Sequence, residues 1–114
     1  MAPLLEKLRK SREAVVDIGG HRLTVRRPTD LELTGMRYQS MAEAVRGVSE
    51  YVQSWDLREL DLDPSGTDEP APFDTLLFTD WLEDNPDLWE PLIDAVFGLV
   101  KKRREQIAQS SKNS

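Results

Sequence analysis

The sequence predicts a small, mainly α-helical domain that carries a short N-terminal β-hairpin and an acidic Pro/Gly loop. Two long stretches place apolar residues three and four positions apart, which is the spacing of one helix face. β-Branched residues flank Gly19-Gly20, a pair typical of a tight hairpin turn. Three prolines and a glycine interrupt residues 56–72, which predicts a loop there. At 114 residues, we expect one domain over 1–114.

The N-terminal part is expected to form a leader helix over residues 1–13, followed by the hairpin over residues 14–27. The leucines of the leader have helical spacing: Leu4, Leu5 and Leu8. Two strands alone are only marginally stable in water. The hairpin is therefore expected to pack on a helix.

One long helix is expected to begin after Thr29 and to end near Trp55. Thr29 and Glu32 match a capping box, in which each side chain accepts a hydrogen bond from the other residue's N–H. A single apolar stripe follows, with alternating spacings of four and three: Met41, Val45, Val48, Val52 and Trp55. Such a stripe packs either in the core or against a partner helix.

Two further helices are expected after the acidic loop. Asp74 is a suitable N-cap for the first, with Phe73 as its hydrophobic staple. Asn85 is a suitable N-cap for the second, and Pro86 suits its first turn. An apolar row runs along that last helix: Leu88, Leu92, Val96 and Leu99. A frayed tail is expected over 108–114.

The net charge of −6 is distributed unevenly. Residues 56–90 contain twelve acids and one base, Arg58, for a net charge of −11, whereas the rest of the chain carries 14 bases and nine acids, for +5. A polarised surface of this kind favours a basic partner or head-to-tail contact between copies. A solvated acidic surface that keeps the chain dissolved is the simpler interpretation.

No motif in the chain indicates catalysis, a cofactor or a metal. The composition has no cysteine and one histidine, His21, which excludes a disulfide framework and a cysteine-based zinc site. Residues 61–66 match the first half of an EF-hand calcium loop, but Pro72 stands where the bidentate glutamate belongs. The acids at helical spacing near position 80 are typical of a solvated helix face. We therefore expect no enzyme.

Two basic clusters could contact phosphate groups. One lies on the hairpin, at Arg22, Arg26 and Arg27, and the other at 101–104 near the end of the last helix. The acidic total charge and the lack of aromatic residues interleaved with either cluster argue against nucleic acid. Solvated or partner-facing cations are the preferred interpretation.

Large aromatic side chains hold most of the hydrophobic surface of the chain. The simpler interpretation is that these side chains form the hydrophobic core. One or two exposed rings could instead anchor a partner protein. The preferred anchors are Trp81 and Trp89, which lie on either side of Asn85-Pro86. The candidate partner-binding residues are Trp55, Phe73, Trp81 and Trp89.

The order of these features resembles a known family. A segment ending LTVRRPTDLE is followed by a helix ending near Trp55-Asp56 and by an acidic loop leading to Pro72-Phe73. WLEDNPDLWEPLIDAV, a basic tail and Lys112-Asn113 complete the series. Over residues 23–113, the chain is similar to tail assembly chaperones of siphophages, the long-tailed bacteriophages, and of related prophages.

The resemblance implies that the chain works by binding. Such chaperones hold the phage tape-measure protein, a very long helical chain that sets tail length, and keep it soluble while tail-tube subunits polymerise around it. The tail tube protein is an implied second partner, recruited by a longer form made by ribosomal frameshifting. The family also implies the host cell cytoplasm and absence from the mature virion. It supplies no catalytic residues. A homo-oligomer is a separate hypothesis, in which the leader over residues 1–13 is the contact element and self-association adds the buried area that a thin core lacks.

The sequence contains no segment typical of membrane insertion. The N-terminus lacks an apolar signal region, and no apolar stretch approaches the ~20 residues of a membrane span, so no membrane partner is expected.

An acidic regulatory or inhibitor protein is the alternative function. Such a protein would mimic nucleic acid and occupy a basic enzyme or repressor. Salt separates this function from the chaperone function, because only the mimic would depend mainly on charge.

Overall fold

The computed structural model describes residues 3–112. Its first elements are α1 (Pro3–Lys10), β1 (Glu13–Ile18), β2 (His21–Arg26), α2 (Asp30–Thr34), α3 (Met41–Ser49) and β3 (Val52–Trp55). Its later elements are α4 (Glu59–Leu62), α5 (Thr75–Glu83), a 3₁₀ helix (Pro86–Leu88) and α6 (Trp89–Lys112). The leader helix therefore covers less of 1–13 than expected, since Glu13 already begins a strand, and residues 1–2 lie outside the described part.

The predicted mainly α fold class is wrong, because the described residues form a mixed α/β domain with a three-stranded antiparallel sheet. The strand order is β1-β2-β3. The first two strands are the predicted hairpin, which turns between Ile18 and His21. The third strand was not foreseen, and it places Trp55 opposite Leu23.

The long helix predicted between Thr29 and Trp55 is replaced by α2, α3 and β3. The helix α2 ends at Thr34, and the N–H of the next residue, Gly35, donates to carbonyl oxygens of the last turn. A new helix begins after Ser40, whose Oγ accepts the N–H of Glu43 at 3.2 Å. The stripe residues Val45, Val48 and Val52 are all buried, but the last of them lies on a strand.

The predicted capping box at α2 is confirmed. Thr29 Oγ1 accepts the N–H of Glu32 at 3.2 Å, and Glu32 Oε1 accepts the N–H of Thr29 at 2.9 Å. The Arg26 guanidinium donates to both carboxylate oxygens of Glu32, at 2.8 and 3.0 Å. These hydrogen bonds from Arg26 lower the pKa of Glu32 to about 2. Arg26 also lies 4.7 Å from the ring centre of Tyr51, so one cluster ties the sheet to α2.

Glu32→Gln is expected to reduce the free energy of unfolding by about 1–2 kcal/mol near pH 7, a value discounted for partial exposure of the pair. Because the folded pKa of Glu32 is lowered from 4.5 to about 2, its contribution is complete above pH 4.5 and is lost as pH falls towards 2. Urea unfolding across this range measures the effect, with exposed Glu69→Gln as control. A difference that stays constant down to about pH 2 contradicts this assignment.

The hairpin turn requires its two glycines. Gly19 and Gly20 have φ angles of +60° and +85°, a region that other residues rarely adopt. A Cβ at Gly19 would also collide with the side chain of Leu88. Glycine is therefore required at position 19 both by the backbone conformation of the turn and by its close contact with Leu88 of the 3₁₀ helix.

Two glycine-to-alanine substitutions are expected to change stability in opposite directions. Gly19→Ala should cost about 1–3 kcal/mol, because it adds backbone strain and a clash. Gly98 lies inside α6, where a Cβ would meet no atom within 4 Å beyond the backbone of its own helix, so Gly98→Ala should stabilise the protein by up to about 1 kcal/mol. Thermal unfolding compares both variants with the parent protein. A stabilised Gly19→Ala protein would contradict the turn geometry.

The core lies between one face of the sheet and the helices α3, α5 and α6. On the last helix, the buried positions recur every four residues, and Leu99 of the predicted row is only partly buried. Both predicted apolar stripes therefore contribute mainly to the core. The core residues are Ile18, Leu23, Val25, Val45, Val48, Tyr51, Val52, Phe78, Leu82, Leu88, Leu92 and Val96.

The start of α5 follows the prediction, and its end does not. Asp74 Oδ1 accepts the N–H of Leu77 at 3.0 Å, and the ring of Phe73 lies 6.1 Å from that of Phe78, as a staple requires. Asn85 makes no side-chain cap for the following helix. Its Nδ2 instead donates to the carbonyl oxygen of Trp81 at 2.7 Å, so it closes α5.

The tail predicted to fray over 108–114 is helical as far as it is described. α6 continues without interruption to Lys112. Residues 113–114, including Asn113 of the Lys-Asn pair, lie outside the described part of the chain. The second half of this helix has little core to pack on, and Ile107 is half exposed.

Candidate partner-binding surfaces

The four aromatic candidates are partly buried, and all pack against the core: Trp55, Phe73, Trp81 and Trp89. The indole N–H of Trp55 donates to the carbonyl oxygen of Ala71 at 2.7 Å, and that of Trp89 donates to Leu82 at 2.6 Å. Both indole N–H groups therefore already have hydrogen-bond acceptors within the domain. Their packing accounts for their presence, and a role as partner anchors stays a prediction.

The structure brings three of these four rings together. Trp55 and Phe73 meet edge to face at 5.2 Å between ring centroids, and Trp81 lies 6.0 Å from Phe78. Phe78 is fully buried at the centre of this group. Trp89 shares no ring contact of this kind among the described residues. The spacing of the aromatic residues did not indicate the group, because β3 was expected to be helical.

His21 holds the hairpin against the helical layer. Its ring meets Trp81 edge to face at 5.7 Å, and its Nδ1 lies 3.8 Å from a carboxylate oxygen of Asp56. Both contacts connect the start of β2 to neighbouring elements. Within residues 3–112, no group of three or more histidine, cysteine or acidic residues could hold a metal ion.

The acidic segment, residues 56–90, forms an exposed negative surface. Its first part folds back on itself more than a Pro/Gly loop was expected to. The N–H of Ala71 donates to the carbonyl of Leu57 at 2.9 Å, and the N–H of Glu59 donates to the carbonyl of Glu69, also at 2.9 Å. The short helix α4 lies inside this turn. All twelve acidic side chains of the segment are exposed, so their charge is available to a partner.

The helix α1 presents an apolar stripe that the domain does not cover. None of its residues is buried. Leu4, Leu5 and Leu8 remain 68%, 43% and 49% exposed. Charged side chains surround the leucines on the same helix: Glu6, Lys7, Arg9 and Lys10. Leucines at helical spacing among charges are typical of a helix that packs on another apolar surface.

A basic groove separates the α1–β1 junction from α6. The cations that line it are Arg12, Arg27, Lys102 and Arg103, and the groove has a volume of about 370 Å³. Burial, followed by the charges of Arg103 and Arg12, lowers the pKa of Arg27. Arg12 belongs to neither of the two basic clusters predicted from the sequence. Arg27 belongs to the hairpin cluster, and Lys102 and Arg103 belong to the cluster on the last helix. The fold joins them.

Comparison of the chain with protein-family models, with curated proteins and with solved structures gave no match. Across the described residues, no helix combines the length and the apolar character needed to cross a lipid bilayer. A proposal for the function therefore rests on the surfaces above and on the resemblance in the sequence.

Proposed function

We propose that the chain is a phage tail assembly chaperone. It binds the tape-measure protein in the host cell cytoplasm, keeps it soluble and promotes assembly of the tail tube around it. The tail tube protein would be recruited by a longer, frameshifted form. The resemblance over residues 23–113 suggests this role. The observation that carries it is the uncovered leucine stripe of α1, because a holdase needs apolar surface that its own core does not use.

The stripe matches the chemistry of a long helical partner. An amphipathic helix binds another helix by burying leucines at positions three and four apart, while its charged face stays in water. Burying one leucine side chain contributes about 1.5–3 kcal/mol. Three leucines can thus offset much of the cost of association. The flanking charges keep the free chaperone from aggregating through the same leucines.

Co-expression with the tape-measure protein of the same phage or prophage tests this function. We expect the tape-measure protein to be soluble only in the presence of the chain. Size-exclusion chromatography with light scattering should then show one complex containing both proteins. If the chain is folded but the tape-measure protein stays insoluble and no complex elutes, the proposed function is contradicted.

A second candidate function rests on the acidic segment. Its twelve exposed carboxylates and one base give residues 56–90 a net charge of −11, which suits a protein that mimics nucleic acid. Binding by this surface should collapse between ~0.1 M and ~1 M salt, because screening shortens the range of exposed charges. A complex formed by the leucines of α1 should survive. Repeating the chromatography at both salt concentrations therefore separates the two functions.

A further inference from the structure

The basic groove holds more positive charge than its surroundings balance. Arg103 lies 3.2 Å from a carboxylate oxygen of Asp30, and both side chains face solvent. Within residues 3–112, no carboxylate oxygen lies within 4.0 Å of the charged nitrogens of Arg12, Arg27 or Lys102. Repulsion between these cations is relieved when an anion enters, so the groove is prepared for a negatively charged ligand.

The position of the groove in the fold narrows the choice of ligand. Its wall includes Glu13 and Ala14, the first residues of β1. This strand is at the edge of the described sheet, so one side of its backbone has no strand partner. Ala14 and Leu99 add apolar surface to the lining. An edge strand beside apolar and basic side chains is a setting for an extended polypeptide.

We propose that this groove binds an extended acidic segment of a partner polypeptide, whose carboxylates pair with Arg12, Arg27 and Lys102. Guanidinium groups suit carboxylates because they donate two parallel hydrogen bonds. A polypeptide is favoured over nucleic acid because the groove combines its cations with a strand edge and an apolar lining, which suit a peptide backbone and its side chains. This inference does not depend on the chaperone function, since it concerns a different surface from the leucines of α1.

The test uses a fluorescein-labelled peptide of alternating glutamate and valine, titrated with the full chain and followed by fluorescence anisotropy. The matched variants are Lys102→Glu in the groove and Lys101→Glu one residue earlier, which is exposed but does not line the groove. At ~0.05 M salt we expect Lys102→Glu to weaken binding about tenfold or more, and Lys101→Glu about twofold or less. Both substitutions are at exposed positions, and circular dichroism checks that both variants fold.

Three outcomes would overturn this proposal. Equal weakening by both substitutions would mean that the peptide responds to net charge and not to the groove. Tighter binding of a single-stranded oligonucleotide of the same charge, lost in Lys102→Glu, would make phosphate the ligand. A peptide that does not bind, together with self-association of the chain that Lys102→Glu abolishes, would make the occupant a second copy.

Discussion

Phe78→Ala is expected to lower the free energy of unfolding by about 3–5 kcal/mol, the cost typical of removing a buried aromatic ring. Phe78 is fully buried, and its ring lies about 6 Å from those of Trp55, Phe73 and Trp81. Removing it leaves a cavity that the surrounding rings, held by their own contacts, cannot fill. Because a domain of this size has a total stability of only about 5–15 kcal/mol, the variant should be close to unfolding.

Urea unfolding followed by tryptophan fluorescence measures this loss. The matched control is Leu76→Ala on the same helix, because Leu76 is 81% exposed. The control should change stability by about 0.5 kcal/mol or less. A similar small change for both variants would show that the aromatic group is not the centre of the core.

Replacing the three leucines of α1 with glutamine is expected to abolish solubilisation of the tape-measure protein while leaving the domain folded. None of these side chains contributes to the core, so stability should change by about 0.5 kcal/mol or less per site. The lost burial in the complex is worth at least about 3 kcal/mol, or more than 100-fold in affinity. The co-expression assay measures the result directly. The substituted residues are Leu4, Leu5 and Leu8.

The control carries the same substitution at exposed leucines elsewhere. Leu31 and Leu76 are both 81% exposed and lie on α2 and α5. The double variant Leu31→Gln, Leu76→Gln should still solubilise the partner. If the tape-measure protein is insoluble with this control variant but soluble with the α1 variant, the apolar stripe of α1 is not the binding surface.

Local features of the fold could be predicted from the sequence, because neighbouring residues determine them. The hairpin depends on the two glycines at its turn, and the capping box depends on Thr29 and Glu32. The third strand was missed for a physical reason. Val45, Val48 and Val52 are buried in one core, and a turn between a helix and a strand can reproduce helical spacing by chance. Gly35 and Ser40 are the local signals that could have divided the helix.

The candidate surfaces were less predictable, because they depend on the tertiary fold. The basic groove joins Arg12 and Arg27 with Lys102, which are far apart in the sequence. The leucines of α1 were recognised as helical, but only the structure shows that none of them is buried in the core of the domain. The aromatic candidates were identified by their size and, for Trp81 and Trp89, by their position on either side of Asn85-Pro86. For Trp55, Phe73 and Trp81, partial burial follows from packing around Phe78, which no local pattern reveals.

Hydrogen–deuterium exchange of the chain, free and bound to the tape-measure protein, tests the proposed binding surface most directly. In the free chain, the amides of α1 should exchange quickly, because a short helix without core contacts opens easily. We expect strong protection of residues 3–10 in the complex. Unchanged exchange in α1, with protection confined to residues 56–90, would instead make the acidic segment the binding surface and contradict the role proposed for the leucines of α1.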